Sequence, residues 1–403
     1  MGKPVIYPLA DRIVKMVESA TLQMTAKARK LKQEGNDVIN LSIGEPDFDT
    51  PQFIKDAAKD ALEQGYTKYT PVSGLLELKQ AIQRKFKRDN NIDYSLDEIV
   101  VSNGAKQSIA NVAMSLIDEG DEVIIFAPYW VSYLEIVQLA GGIPVIVSAG
   151  IENDFKVLPQ QLRDAITDKT RLVIYSSPCN PTGSVYSMSE LEAFAEILDQ
   201  HNEIYIVSDE IYEYINYTGG HASIASIPSV RDQTITVNGF SKGFAMTGWR
   251  LGYIGAPKEV AKATDKMQGQ FTSGAASFSQ KAAALALDTD LAETHKMKEV
   301  FLKRRDKIVG LLSEIPGLQC NVPDGAFYVF PNVKSYYGKS TPDGKVIENG
   351  DQLCEYILEK AFVALVAGSA FGDDDCIRIS YAASDEEIDE SCRRLKDVLS
   401  RLK

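Results

Sequence analysis

The chain predicts an α/β fold in which a large domain, built on a mostly parallel sheet flanked by helices, carries a smaller α+β domain beside it. Two observations lead there. Short apolar runs of strand length alternate with helical patterns from about residue 50 to 290, the alternation from which parallel sheets are built. Several of those runs are apolar at consecutive positions rather than at every second one, as in strands covered on both faces. Beyond residue 294 the pattern changes to a long charged helical stretch and isolated strands. The large domain is therefore placed at 45–293 and the small one at 1–44 with 294–403.

In chain order, residues 97–101 read as a strand, Ser102-Asn103-Gly104 breaks it, and 105–117 read as a helix. Residues 122–126 follow as strand, 129–139 as helix, 144–147 as strand and 171–175 as a buried strand. Ser187 and Glu190 have capping-box spacing ahead of a helix through 198. Strands at 204–207, 234–237 and 251–254 complete the set. A helix over about 294–313, strands around 326–330 and 377–381, and an amphipathic helix after Ser384 make up the rest. The stretch 334–350, rich in Gly, Ser, Lys and Asp, reads as a surface loop.

Composition narrows the function. The 403 residues contain no apolar run of transmembrane length, and the opening MGKPVIYPLADR lacks the apolar core of a secretory signal, so a soluble, cytoplasmic protein is expected. Five scattered cysteines without CxxC spacing suggest neither a disulfide framework nor a zinc site. A formal net charge of −13 argues against a nucleic-acid partner, so any cationic pocket must be built locally.

In open parallel sheets ligands bind beyond the carboxyl ends of the strands, and four polar turns follow strands here. After 234–237 comes Gly239-Phe240-Ser241-Lys242-Gly243, with Arg250 eight positions beyond the lysine. Most loop lysines are merely solvated. The same segment also fits the G-x-S-x-G elbow of α/β-hydrolases, but that needs a later histidine, and only His295 follows, in a charged helical pattern. After 204–207 comes Asp209, with Tyr212 three residues on; a strand-end aspartate is either a helix cap or a carboxylate offered to a ligand. After 171–175 comes the Pro- and Gly-punctuated turn holding Asn180. After 97–101, Gly104-Ala105-Lys106 open a helix whose N-terminus suits an anion, with Ser241 and Arg250 as further donors. Trp130 follows the next strand, where an indole either covers a flat ligand or fills core.

These segments, in this order and spacing, together with Gly44-Glu45-Pro46-Asp47-Phe48, the stretch from Tyr66 to Tyr69, that from Pro128 to Tyr133, and Ile377-Arg378-Ile379-Ser380-Tyr381, resemble the class I, fold-type I aminotransferases over essentially the whole chain. Within that family the chain is similar to the bacterial branch of aspartate and aspartate/prephenate aminotransferases. The resemblance implies pyridoxal 5'-phosphate as cofactor, carried by Lys242 as a Schiff base. It implies Asp209 at the ring nitrogen, Tyr212 and Asn180 at the ring oxygen, and Trp130 over the ring. Gly104, Ala105, Lys106, Ser241 and Arg250 form the implied phosphate cradle. Arg378 would grip the substrate α-carboxylate, with Gly44, Trp130 and Asn180 beside it. Thr21 and Lys106 match a pair used for a distal carboxylate, so Lys106 is a candidate for either anion. Tyr69 would reach the phosphate in the neighbouring subunit's site, which implies a homodimer with shared active sites.

The implied reaction moves the amino group of aspartate or glutamate to a 2-oxo acid such as 2-oxoglutarate by a ping-pong route, with prephenate as a further acceptor to consider. Cys179, where relatives usually have asparagine, and Ala367, where proline is common, are departures. Another amino-acid specificity and a carbon–sulfur lyase on the same fold remain alternatives. A cofactor-sensing regulator would carry a DNA-binding segment and basic surface, and neither is visible.

Overall fold

A computed structural model describes residues 9–403. The described chain starts with α1 (Asp11–Lys15), α2 (Ala20–Gln33), a short strand β1 (Ile39–Asn40), α3 (Gln52–Glu63) and α4 (Leu76–Asn90). An alternation follows: β2 (Ile99–Ser102), α5 (Ala105–Leu116), β3 (Glu122–Ala127), α6 (Ser132–Leu139), β4 (Ile143–Ser148), α7 (Pro159–Ala165), β5 (Thr170–Ser176), α8 (Met188–Leu198) and β6 (Tyr205–Asp209). Then come β7 (Thr234–Gly239), β8 (Gly252–Gly255), α9 (Lys258–Phe271), α10 (Ser277–Leu287) and α11 (Ala292–Ser313). The chain closes with β9 (Tyr328–Val329), α12 (Gly350–Ala361), β10 (Val363–Ala364), β11 (Val366–Ala367), β12 (Ile377–Ser380) and α13 (Asp385–Ser400).

Seven strands form one sheet in the order β2-β8-β7-β6-β5-β3-β4. Only β8 runs against its neighbours, pairing antiparallel with both β2 and β7. The consecutive apolar residues that predicted two-sided burial go to opposite faces. β3 sends Val123 and Ile125 into one apolar cluster and Ile124 and Phe126 into another, and β5 divides Leu172 and Ile174 from Val173 and Tyr175 in the same way. Each such side chain contributes about 1.5–3 kcal/mol by leaving water. Truncating Ile125, which is fully buried, to alanine would cost about 2–5 kcal/mol. A separate core joins Met24, Ala28 and Ile39 near the start of the described chain to Phe301, Tyr328, Ile357 and Leu395 towards its end.

Three elements differ from the sequence reading. The strand expected from 97 begins at Ile99, because Ser95 and Glu98 form a capping box around a 3₁₀ turn. The helix expected from 129 begins at Ser132, and the Tyr129 amide ahead of it donates to the Phe371 carbonyl at 2.9 Å. The 334–350 stretch is not purely a surface loop: Tyr336 and Ile347 are buried in the second core. The capping box at Ser187 is present as expected, with the Ser187 hydroxyl accepting from the Glu190 amide. No helix among the described residues is long and apolar enough to cross a membrane.

Candidate active site

The carboxyl ends of β3, β5, β6 and β7 and the N-terminus of α5 open onto one cleft of about 630 Å³. Residues of α2, β9 and β12 line it as well, so both cores contribute walls. Thr21, Gly44, Ala105, Lys106, Trp130, Asn180, Asp209, Tyr212, Ser241, Lys242, Arg250 and Arg378 all line this cleft. Gly104 is not among the residues lining the cleft. Tyr69 does not line it and is 97% exposed. His295, the only histidine that could complete a hydrolase triad, lies on α11 and is not among the lining residues, which removes the nucleophile-elbow reading.

Close backbone approaches shape the anion end. Gly104 has φ +88°, and a Cβ there would fall 2.5 Å from Nη2 of Arg250. A Cβ on Gly252 would fall 2.2 Å from the Ala105 amide nitrogen, so β8 can lie against the start of α5 only as glycine. Arg250 itself has φ +56°, a strained region for a non-glycine residue, and donates to the Thr247 carbonyl at 2.8 Å. No side chain caps the N-terminus of α5, which leaves its first amides directed at the cleft beside Ser241 and Arg250.

Asp209 ends β6 and is 4% exposed. Its Oδ2 accepts from the Tyr133 hydroxyl at 2.6 Å and its Oδ1 from the Ile211 amide at 3.2 Å. It is therefore not a helix cap: the residues after it form turns without a helix. Burial pushes its carboxyl up to about 6, against the Tyr133 and Ile211 hydrogen bonds that favour the anion. The Tyr212 hydroxyl lies 2.7 Å from that of Tyr328, and burial holds its pKa well above the ordinary phenol value.

Lys242 donates to the Gly44 carbonyl across the cleft. Burial, then repulsion from Arg378 and Arg250, brings its ammonium down to about 8, despite the opposing pull of Glu45 and Asp209. That leaves a substantial neutral, nucleophilic fraction near physiological pH. Arg378, 2% exposed, donates from Nη1 to Asn180 Oδ1 at 2.9 Å and from Nη2 to the Ser42 carbonyl. Its guanidinium sits 4.5 Å from the Tyr328 ring centroid and 4.9 Å from that of Phe371. Its buried Nε has no partner among the described residues. Lys106 has a different setting: its ammonium lies 5.0 Å over the Trp130 ring, makes no ion pair among the described residues, and is lowered in pKa by the enclosing walls and by Arg250. Trp130, half-buried, thus combines both sequence readings, packing edge-on against Tyr133 while lining the cleft. Cys179 is buried and directs its thiol at the Pro128 carbonyl, and Ala367 is buried in β11; neither touches the cleft.

Sequence reasoning passed over Tyr133, Tyr328 and Ser42. Tyr133 lay within a segment already singled out, and its spacing after β3 was available as a signal. Nothing local marks Tyr328 or the Ser42 carbonyl, whose partners lie 116 and 336 residues away.

Comparison with known proteins identifies the family. The family model "Aminotransferase class I and II" matches residues 36–395. A Petunia hybrida protein named bifunctional aspartate aminotransferase and glutamate/aspartate-prephenate aminotransferase is 49% identical over 98% of this chain and 83% of its own. A probable aspartate/prephenate aminotransferase of Rhizobium leguminosarum is 47% identical over 96% of this chain and 98% of its own. The crystal structure of the aspartate aminotransferase of Rhizobium meliloti superposes with a TM-score of 0.95 at 44% identity, covering 98% of this chain and all of that one.

Proposed function

The chain belongs to the class I and II aminotransferases, and we propose that it moves the amino group of aspartate or glutamate to a 2-oxo acid such as 2-oxoglutarate with pyridoxal 5'-phosphate held on Lys242. The observation that carries this reading is the convergence of Lys242, Asp209 and Arg378 on one cleft, an amine lowered to about 8, a buried carboxylate and a buried cation. The names of the relatives supply the dicarboxylic donors and prephenate as a further acceptor.

The residues present fit the cofactor. The uncapped start of α5, the Ser241 hydroxyl and the Arg250 guanidinium are donors suited to a phosphate, and the Gly104 and Gly252 contacts leave no room for side chains that would fill that cradle. Asp209 offers a carboxylate for a protonated ring nitrogen, and Tyr212 and Asn180 offer donors for a ring oxygen. When bound, the group supplies an electron sink for the charge released at the substrate α-carbon.

The protein's own part is to position, hold charge and move a proton. Arg378, pinned by Asn180 and Ser42, presents its remaining donors to the substrate α-carboxylate and orients the α-carbon. Lys242, neutral above about pH 8, would hold the cofactor and, when its amine is free, would take the substrate α-proton and deliver it to the carbon on the other side of the transferred nitrogen. With its carboxyl pushed up to about 6, Asp209 would be held more firmly as the anion by a cation lying against it, so a protonated ring nitrogen and the Asp209 carboxylate stabilise each other. Lys106 and Thr21 meet the distal carboxylate of a dicarboxylic substrate. The proposed large domain at 45–293 carries Lys242 and Asp209, and the remainder carries Arg378 and Thr21, so the substrate spans both. A homodimer is part of the same reading, because Tyr69 is free in the single chain to reach a partner's phosphate cradle.

Borohydride reduction of the loaded protein tests the central claim. Mass spectrometry should place the fixed cofactor on Lys242; an adduct on another lysine, or none after reconstitution, overturns it.

A further inference from the structure

Behind the turn that carries Asp209 and Tyr212 lies a cluster of buried charges that the proposed chemistry does not use. Neither Glu210 nor Glu213 lines the cleft, and they are 0% and 6% exposed. Glu213 accepts from the ammonium of Lys85 on α4, from Asn238 at the end of β7 and, at 3.5 Å, from Asn90. Glu210 accepts on Oε1 from the hydroxyls of Ser208 at 2.9 Å and Ser223 at 2.6 Å. Its Oε2 lies 2.9 Å from Nε2 of His221, a side chain 5% exposed; the contact is one of charge and distance without hydrogen-bond alignment, and both atoms are otherwise without a partner among the described residues. The His221 Nδ1 lacks a partner in either protonation state, so it does not decide between them.

Two buried carboxylates thus face one permanent cation, Lys85, and a protonated His221 is what closes the balance. The ligand atoms of Glu210, Glu213 and His221 lie within 4.8 Å of one another, a spacing that would also suit a metal ion. The Lys85 ammonium already sits on Glu213, however, and a divalent cation there would be repelled by it. A proton on the imidazole supplies the missing charge without that conflict.

We infer that Glu210 and a protonated His221 form a positioning pair that holds the turn after β6 and tunes the Asp209 carboxylate from behind. Its bearing on catalysis rests on the reading of Asp209 as the ring-nitrogen partner. The groups facing the pair are Glu213 from the same turn, Lys85 from α4, Asp209 at the end of β6, Tyr94 ahead of β2, Tyr175 from β5 and Tyr253 from β8. Burial disfavours the imidazolium, but the charge and contact of Glu210, with Glu213, outweigh both burial and Lys85 and raise its pKa. Glu210 in turn adds to the upward shift of Asp209 that burial begins.

Carbon-13 NMR titration of the apoprotein tests this without the cofactor. The chain has three histidines, so His201→Gln and His295→Gln assign the His221 signal. His221 should stay protonated above its ordinary value of 6.5. The stability it contributes should then be full below that value and lost as pH rises through the raised one. Titration at or below 6.5 overturns the inference. The Asp209 carboxyl, assigned with Asp209→Asn, should titrate near 6, lower in Glu210→Gln and higher in His221→Asn, where Glu210 is left uncompensated. Simple loosening of the turn would not move it in opposite directions. Absent shifts, or shifts of one sign, sink the tuning role. If His221→Asn does not fold, the wild-type histidine titration and Glu210→Gln still decide. An Asp209→Ala enzyme with normal turnover would remove the ring-nitrogen reading while leaving these apoprotein titrations as they are, so the two failures are distinguishable.

Discussion

Arg378 and Lys106 are two cations facing one cleft, and they are held in opposite ways. Arg378 is buried, pinned through both terminal nitrogens to Asn180 and Ser42, and flanked by the Tyr328 and Phe371 rings. Lys106 is far more exposed, makes no ion pair among the described residues, and lies over the face of Trp130. A pinned planar fork is preorganised for one geometry, whereas a flexible ammonium adapts to what arrives. On the proposed reading, the difference would separate recognition shared by every amino-acid substrate, at the buried end, from recognition of one side chain, at the open end.

The largest expected effect lies at the buried end. Asp209→Ala should lower turnover by about a thousandfold with saturating pyridoxal phosphate, because without the buried carboxylate the ring nitrogen would no longer be held protonated as negative charge develops. Turnover close to that of the unaltered enzyme would break the comparison by making the buried end dispensable.

Arg378→Lys should cost about a hundredfold in kcat/KM, equally for aspartate, alanine and phenylalanine, since an ammonium cannot reproduce the bidentate grip. A variant that changed the order of preferred donors instead would move Arg378 to the side-chain end.

Lys106→Ala should cost about ten- to a hundredfold for aspartate, equivalent to the ~1.5–3 kcal/mol of a charge-assisted contact, and much less for alanine or phenylalanine. Equal losses for every donor, together with weaker cofactor binding, would assign Lys106 to the phosphate cradle.

The pH dependence sharpens the same contrast. Cofactor uptake by the apoprotein should fall about tenfold for each pH unit below about 8, because the ammonium of Lys242 must lose its proton before it can attack. Stopped-flow absorbance would show the rise levelling off above about 8, and a rise that continued towards the ordinary lysine value of 10.5 would mean that burial does not depress this lysine. The smallest effect should come from Trp130→Phe. Replacing the indole under the Lys106 ammonium weakens a contact of about 0.5–1 kcal/mol, so kcat/KM for aspartate should fall about two- to fivefold.

What the sequence determined by itself is the part of the site that is local along the chain. Asp209, Asn180 and Lys242 each follow a strand within a few residues, and strand ends in a parallel sheet face one side. Once the apolar runs were recognised, these residues had to converge. The glycine at 104 was visible as a turn residue, though not that it and Gly252, read as part of a strand, let β8 and Arg250 close on α5. Tertiary structure alone decided the rest. The hydrogen bonds from Arg378 to Asn180 and Ser42 span 198 and 336 residues, and Tyr133 reaches Asp209 across 76. The buried pairing of Glu210 with His221 likewise depends on how the loop after β6 folds back. No periodicity or turn signal encodes such contacts, because they form only when separate layers pack and burial makes each polar atom find whichever partner lies opposite.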